Sequence, residues 1–375
     1  MDNFSDYFNS TLLSDVHQDE KFVDTWIIVV FFIFLTIGMC LNLVVFLVLL
    51  QTKRNGILST VLQLAGIDVI TTYVAVMEIW ALNHHSWCFS ENICPIFLGS
   101  EILFNTLILY LTICINFHVI SKSNLHEFEM QNSIKNPLTA NNDDDDDSSK
   151  SLIGRTSNQK SYRNITINYQ NKKSSISVIF PSVLLWFICL SISIPEFSLS
   201  SAVKLKNHFT MCTVVDIYFN KLMQHLLVVF RILIPLPLLL LLMITVAAMY
   251  LRSKKVDDDT GKNILDKKTE NIKSILVFSF ILSAIGVISS FPRQFISVMH
   301  LMNQKFENDN IVGFKMVPLE NVFTSYLIIT IIGIIYYSAG TFRGILYVVM
   351  LPEMKNVLRY KITFCNNRNN NKNSI

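Results

Sequence analysis

The stretch TWIIVVFFIFLTIGMCLNLVVFLVLL, residues 25–50, is 26 residues long and carries no Asp, Glu, Lys or Arg. At 1.5 Å per residue a helix of that length crosses a hydrocarbon layer about 30 Å thick. Inside lipid each backbone N–H and C=O has to be paired within its own segment, so the run reads as a helix. Working outward, six further apolar runs follow at 58–82, 95–121, 176–200, 222–251, 272–300 and 322–348. Pro195, Pro235, Pro237 and Pro292 interrupt some of them, which a bundle tolerates where neighbours re-satisfy the freed carbonyls. The expected fold is all-α: a polytopic membrane protein built as a seven-transmembrane helix bundle.

Composition agrees with this reading. Of 375 residues, 51% are hydrophobic and only 16% charged, against about 25% charged in an ordinary soluble domain. That balance excludes a soluble enzyme wrapped round one core. The formal net charge of +3 gives no reason to expect a nucleic-acid partner. Residues 1–24 are polar and acidic, without the basic flank and short apolar stretch of a cleavable signal.

Orientation follows from the basic residues. With the N-terminus outside, the inner segments 51–57, 122–175, 252–273 and 349–375 hold 22 of the 31 Lys and Arg, and the outer segments hold six. Discounting the long 122–175 loop, as the rule for long segments requires, leaves 14 against six. Expected organisation is an extracellular tail over 1–24, a transmembrane domain over 25–348 and a cytoplasmic tail over 349–375. Sequons at Asn3 and Asn9 fit an outside tail; the one at Asn164 does not, and chance matches to so short a motif are common. The 122–175 loop contains the run Asp143 to Asp147 and reads as disordered, because it has too little apolar surface to offset its ordering entropy. After Tyr347, apolar residues at 354, 357, 358 and 362 alternate with Lys355, Arg359 and Lys361. That pattern suits a short amphipathic helix in the membrane interface, with Cys365 beyond it open to acylation or left as a thiol.

Several short motifs occur in a telling order. They are Leu41-Asn42-Leu43-Val44-Val45, Leu64-Ala65-Gly66-Ile67-Asp68, and Trp87-Cys88-Phe89-Ser90 ahead of Cys94. Trp186, Pro195, Pro235, Pro292 and the exit Ile345-Leu346-Tyr347 to Leu351-Pro352-Glu353 follow. Together they resemble the rhodopsin-like (class A) G-protein-coupled receptors, in divergent form. The resemblance implies a disulfide from Cys94 to Cys212, a plasma-membrane location, an extracellular ligand, and a heterotrimeric G protein or arrestin inside. Departures are also plain. Val119 stands where the family carries the arginine of its Asp-Arg-Tyr motif, Ser290 replaces a tryptophan, and Arg343 replaces the asparagine of Asn-Pro-x-x-Tyr. The seventh span has no lysine to hold retinal, and no cofactor is expected.

Ionisable residues inside spans are costly and invite a functional hypothesis with a named partner. By the resemblance, Asp68 faces the Arg343 position, with Asn42 and Tyr347 completing a polar switch. There a guanidinium would take the place of a sodium ion; the other reading has Arg343 snorkelling to headgroups. Glu78, Glu101, Arg231 and Arg293 fall at similar depths in the outer half by helix rise. The resemblance places them in a ligand pocket, for a zwitterion, a peptide or a small polar molecule. The other reading is a structural network that neutralises itself. No enzyme or metal-ligand signature appears, and the adjacent His84-His85 reads as solvated. The functional expectation is a transmembrane signal receptor. An alternative is a seven-helix ligand-gated cation channel of the insect chemoreceptor type, whose N-terminus lies in the cytoplasm.

Overall fold

The computed structural model describes residues 4–52, 56–84, 86–135, 179–204, 210–214, 222, 225–260, 267–304, 322–352 and 354–355. The helices are α1 (Phe4–Gln51), α2 (Gly56–Asn83), α3 (Ile93–Lys135), α4 (Ile179–Leu199), α5 (Pro235–Thr260), α6 (Lys267–Gln304) and α7 (Val322–Met350). A two-stranded hairpin, β1 (Ser200–Lys204) with β2 (Thr210–Val214), links α4 to the fifth span. Each helix contains a segment long and apolar enough to cross a membrane, the fifth segment beginning at His225 ahead of α5. The protein is an all-α, multi-pass bundle of seven helices.

Two boundaries differ most from the sequence reading. Helix α1 begins at Phe4, so most of the acidic 1–24 stretch continues the first span as helix. Helix α3 runs on to Lys135, fourteen residues past the expected end at 121. Nothing in Lys122–Lys135 breaks a helix, whereas Pro137 disfavours helical backbone at Asn136. The rest of the 122–175 loop, Asn3, Asn164 and Cys365 lie outside the described residues, and so does the interfacial helix beyond Lys355.

Burial separates the central helix from the peripheral ones. In the most apolar part of α3, 72% of residues are buried, against 22% in the first, fourth and fifth spans. Phe180, Ile244 and Ile288, all more than 60% exposed, mark the lipid side of α4, α5 and α6. Inside, Val45, Leu64, Leu107, Leu111, Ile115, Val246, Leu276 and Tyr347 belong to one continuous core. Apolar contact is no better than lipid contact within a membrane, so close packing and interhelical hydrogen bonds have to select the arrangement. Gln63 of α2 supplies two such bonds: its Oε1 accepts from Ser182 Oγ at 2.7 Å and from Trp186 Nε1 at 3.0 Å, both on α4.

Helices α1 and α7 pack closely at Gly38, where an added Cβ would run into the side chain and backbone of Thr341. Gly38→Val is therefore expected to destabilise the bundle by about 1–3 kcal/mol, as overpacking does. Gly286→Ala, which meets only Leu239 at 3.6 Å, is expected to be tolerated. Thermal unfolding of the two variants in nanodiscs measures the contrast.

Pro235 explains the one irregular turn. Residues Val229–Leu233 form a π turn in which Ile234 N–H reaches Val229 O at 3.0 Å, one residue further back than an α-helix allows. A proline ring crowds the preceding turn and lacks an N–H, and widening that turn relieves the crowding. The displaced Phe230 carbonyl accepts the Tyr110 hydroxyl of α3 at 3.0 Å. The insertion also sets the direction in which Arg231 leaves the helix.

At the same end Cys94, near the start of α3, is bonded to Cys212 of β2. Trp87 is buried against this bridge together with Val74 and Phe97. Its N–H donates to Thr210 O at 2.7 Å, so the α2–α3 connection is fastened to the hairpin.

Candidate functional site

Two layers of charge lie inside the bundle. The layer nearer the disulfide gathers Glu78 from α2, Glu101 from α3, Arg231 from the π turn and Arg293 from α6. Arg293 Nη2 bridges the acids, at 2.9 Å from Glu78 Oε2 and 3.2 Å from Glu101 Oε1. Arg231 Nη2 adds a contact to Glu101 Oε1 at 3.3 Å. Asn105, one turn along α3, donates to the same oxygen at 2.6 Å. Helix α7 closes the ring with two tyrosines. The Tyr337 hydroxyl donates to Glu78 Oε2, and the Arg293 guanidinium lies 4.7 Å from the Tyr336 ring centre and 5.3 Å from that of Tyr337. Flat, delocalised and forked, a guanidinium can serve two carboxylates and two ring faces at once; an ammonium cannot.

The second layer is deeper. Arg343 of α7 holds Asp68 of α2 in a two-point grip, Nε to Oδ2 at 2.9 Å and Nη2 to Oδ1 at 2.5 Å. This is the pair and not the snorkelling arrangement. Beside it Asn42 Nδ2 donates to Gly38 O at 3.0 Å and to Gly340 O at 2.9 Å, joining α1 to α7. Tyr347, the fourth member of the expected switch, is fully buried and packs on Phe278, with ring centres 6.1 Å apart. Its hydroxyl has no hydrogen-bond partner among the described residues. It therefore joins the layer by packing and not by polar contact.

Exposure distinguishes the two layers. Side chains of Arg293 and Glu78 keep 21% and 19% of their surface, whereas Arg343 and Asp68 keep 7% and 0%. The lower layer is the more deeply buried of the two. Beside the lower layer lies a small cavity of about 30 Å³, lined by Asp68 and Arg343 together with Thr71, Asn105, Ser289, Ser290 and Tyr336 among others. Ser290 is 6% exposed, so its small side chain helps to leave this gap open where an aromatic ring would fill it.

No family model and no curated protein matches this chain.

The site has therefore to be read from its own chemistry. All four residues of the upper layer meet, as do Asp68 and Arg343, and Cys94 and Cys212 are joined. Asn9 lies in the outer part of α1, whose side chains are not described. Among the described residues no group of three His, Cys, Asp or Glu is placed to hold a metal ion. His84 instead stacks on Trp80, ring centres 4.8 Å apart, and its Nδ1 lies 2.9 Å from Trp80 O.

Some contributors were not singled out in the sequence. Tyr336 precedes Arg343 by seven residues, two helical turns, so heptad spacing on α7 was a usable signal. Asn105 follows Glu101 by four residues on the same face of α3. Glu196, 5% exposed on α4 beside Pro195, was an ionisable residue in an apolar run. Its Oε2 accepts from Ser200 Oγ at 3.3 Å.

Proposed function

We propose that this chain is a signal receptor of the plasma membrane, a divergent relative of the rhodopsin-like G-protein-coupled receptors. Its N-terminus and disulfide face the exterior, and it binds a small polar or peptide ligand from that side. One observation carries the reading: carboxylates and guanidiniums from four different helices converge within 3.3 Å contacts while keeping part of their side-chain surface exposed. A network kept only for stability gains nothing from openness, and buried ion pairs are weak evidence for stability in any case.

The chemistry of exchange follows from the pairing. A ligand carboxylate can replace Glu78 or Glu101 on a guanidinium, and a ligand ammonium can replace Arg231 or Arg293 on a carboxylate. Because each partner belongs to a different helix, an exchange re-ties α2, α3, the π turn and α6 in another pattern. A ligand that fits one helix packing better than another shifts the population toward it by that difference in affinity. The readout would use the opposite end, formed by 51–57, 252–273 and the segment after Tyr347. There Val119, 1% exposed and packed in the core, offers no arginine to a G protein, so coupling would use other contacts at this end.

A thermal-shift series on the full chain in nanodiscs tests the proposal. The probes are free amino acids and dipeptides, each with its N-acetylated and C-amidated form. An unblocked zwitterion is expected to raise the unfolding midpoint of the native chain and to lose that effect in Glu101→Gln and Arg293→Gln. No shift with any probe, or shifts unchanged in both variants, would contradict the proposal.

A further inference from the structure

Fifteen residues along α3 from Glu101, about 22 Å by helix rise, lies a polar cluster that neither charged layer uses. Asn116 of α3 is fully buried, and so are Ser279 and Ser283 of α6. Asn116 Nδ2 donates to Ser283 Oγ at 2.8 Å. In return Asn116 Oδ1 accepts from Ser279 Oγ at 2.5 Å, with Ser283 Oγ at 3.2 Å. Around the cluster the core is apolar, formed by Ile115, Val119, Leu276 and Leu282.

We propose that this amide–hydroxyl clasp is the latch that holds α3 against α6 in the closed packing and sets how often that end of the bundle opens. The inference rests on the receptor reading in taking α6 as a moving helix, and it needs neither a ligand nor a signalling partner for its test.

Three observations support a latch over plain adhesive. First, one turn further on Val119 of α3 lies near Ile272 and Ile275 of α6, beside Lys122 and Ser123. Apolar contact of that kind is no stronger than contact with lipid and has no direction, whereas the hydrogen bonds of the clasp are directional. Second, two of the three donors have a fallback on their own helix. Ser283 Oγ lies 2.9 Å from Ser279 O, and Asn116 Nδ2 also donates to Thr112 O at 3.0 Å. Opening therefore leaves those two donors satisfied and deprives Asn116 Oδ1 and Ser279 Oγ of each other. Third, all three groups are neutral, so parting them exposes no unpaired charge to lipid, unlike parting Asp68 from Arg343.

Distances between spin labels on the full chain in nanodiscs test the latch. Labels sit on Asn124→Cys of α3 and Asn271→Cys of α6, both exposed positions, with the native free cysteines changed to serine. Asn116→Leu is expected to add a longer-distance population, raising the open-to-closed ratio by roughly three- to twentyfold, the worth of one such bond in a membrane. The double variant Ser279→Ala/Ser283→Ala is expected to give the same population, and the triple variant to add nothing further. If Asn116→Leu does not fold, the serine pair decides alone, since it removes two oxygens and adds no bulk. An unchanged distance distribution in the folded variants would overturn the latch. Loss of ligand shifts with the latch intact would instead overturn the receptor reading.

Discussion

Asp68→Arg is expected to remove folded protein from the cell surface, Arg343→Asp to do the same, and the double exchange to bring it back. Each single reversal places two like charges within the reach that now gives 2.5 and 2.9 Å contacts, in a site where Asp68 has no exposed surface. Breaking a buried pair by removing one partner costs about 3–5 kcal/mol, and a reversal adds repulsion to that loss. The exchanged pair regains opposite charges at the same depth, although its geometry is less good because the shorter acid now starts from α7. A milder variant tests what the guanidinium does. Arg343→Asn leaves the Asp68 carboxylate beside a cavity lined by the oxygen-bearing residues Asn42, Thr71 and Ser289. Its unfolding midpoint is then expected to rise with sodium and not with a bulky organic cation, while the native chain responds to neither. A native chain that gains stability from sodium, or a double exchange that fails to restore surface protein, would count against the pair.

The second large effect is expected at Arg293. It holds two carboxylates and covers two tyrosine rings, so Arg293→Leu deprives Glu78 of its ion pair and Glu101 of one of two. The loss should be about 3 kcal/mol, at the low end for a broken pair because the side chain keeps 21% exposure. Arg293→Lys should recover less than half of it, since an ammonium cannot span both acids in one plane. The combination Glu78→Leu/Arg293→Leu should be milder than Arg293→Leu alone, because it leaves one buried charge fewer without a partner. Tyr337→Phe removes a single hydroxyl donor and should cost about 1 kcal/mol. Unfolding midpoints in nanodiscs rank the four. A ranking in which the double variant is the worst would mean that Glu78 is stabilised by something other than Arg293.

How far the sequence carried this picture depended on the kind of signal. Seven helices were legible because lipid leaves a segment no choice: an uncharged run such as 25–50 must pair its backbone internally. Where the environment turns aqueous that constraint lapses, and the end of α3 was misplaced by fourteen residues. There residues 122–135 continue as helix. Helix rise is nearly constant, so Glu78, Glu101, Arg231 and Arg293 could be grouped by depth, whereas the Asp68–Arg343 pair followed from the family resemblance. Facing direction was harder to obtain. Pro235 announced an irregularity, but not that it would be a π turn or that Tyr110 would cap the released carbonyl. Asn116, Ser279 and Ser283 are small neutral side chains common in membrane helices, and only the packing of α3 on α6 gives them a joint meaning.

Two thiols at opposite ends of the bundle test the threading on which everything else depends. Cys88 is exposed beside the disulfide end, and Lys254 is exposed where the fifth span finishes at the other end. On intact cells a membrane-impermeant maleimide is expected to label the native chain, to lose that labelling in Cys88→Ser, and not to regain it when Lys254→Cys is added until the cells are permeabilised. Labelling at position 254 in intact cells, with Cys88 reached only after permeabilisation, would place the disulfide and the upper charge layer on the inner side. An external ligand could not then reach them.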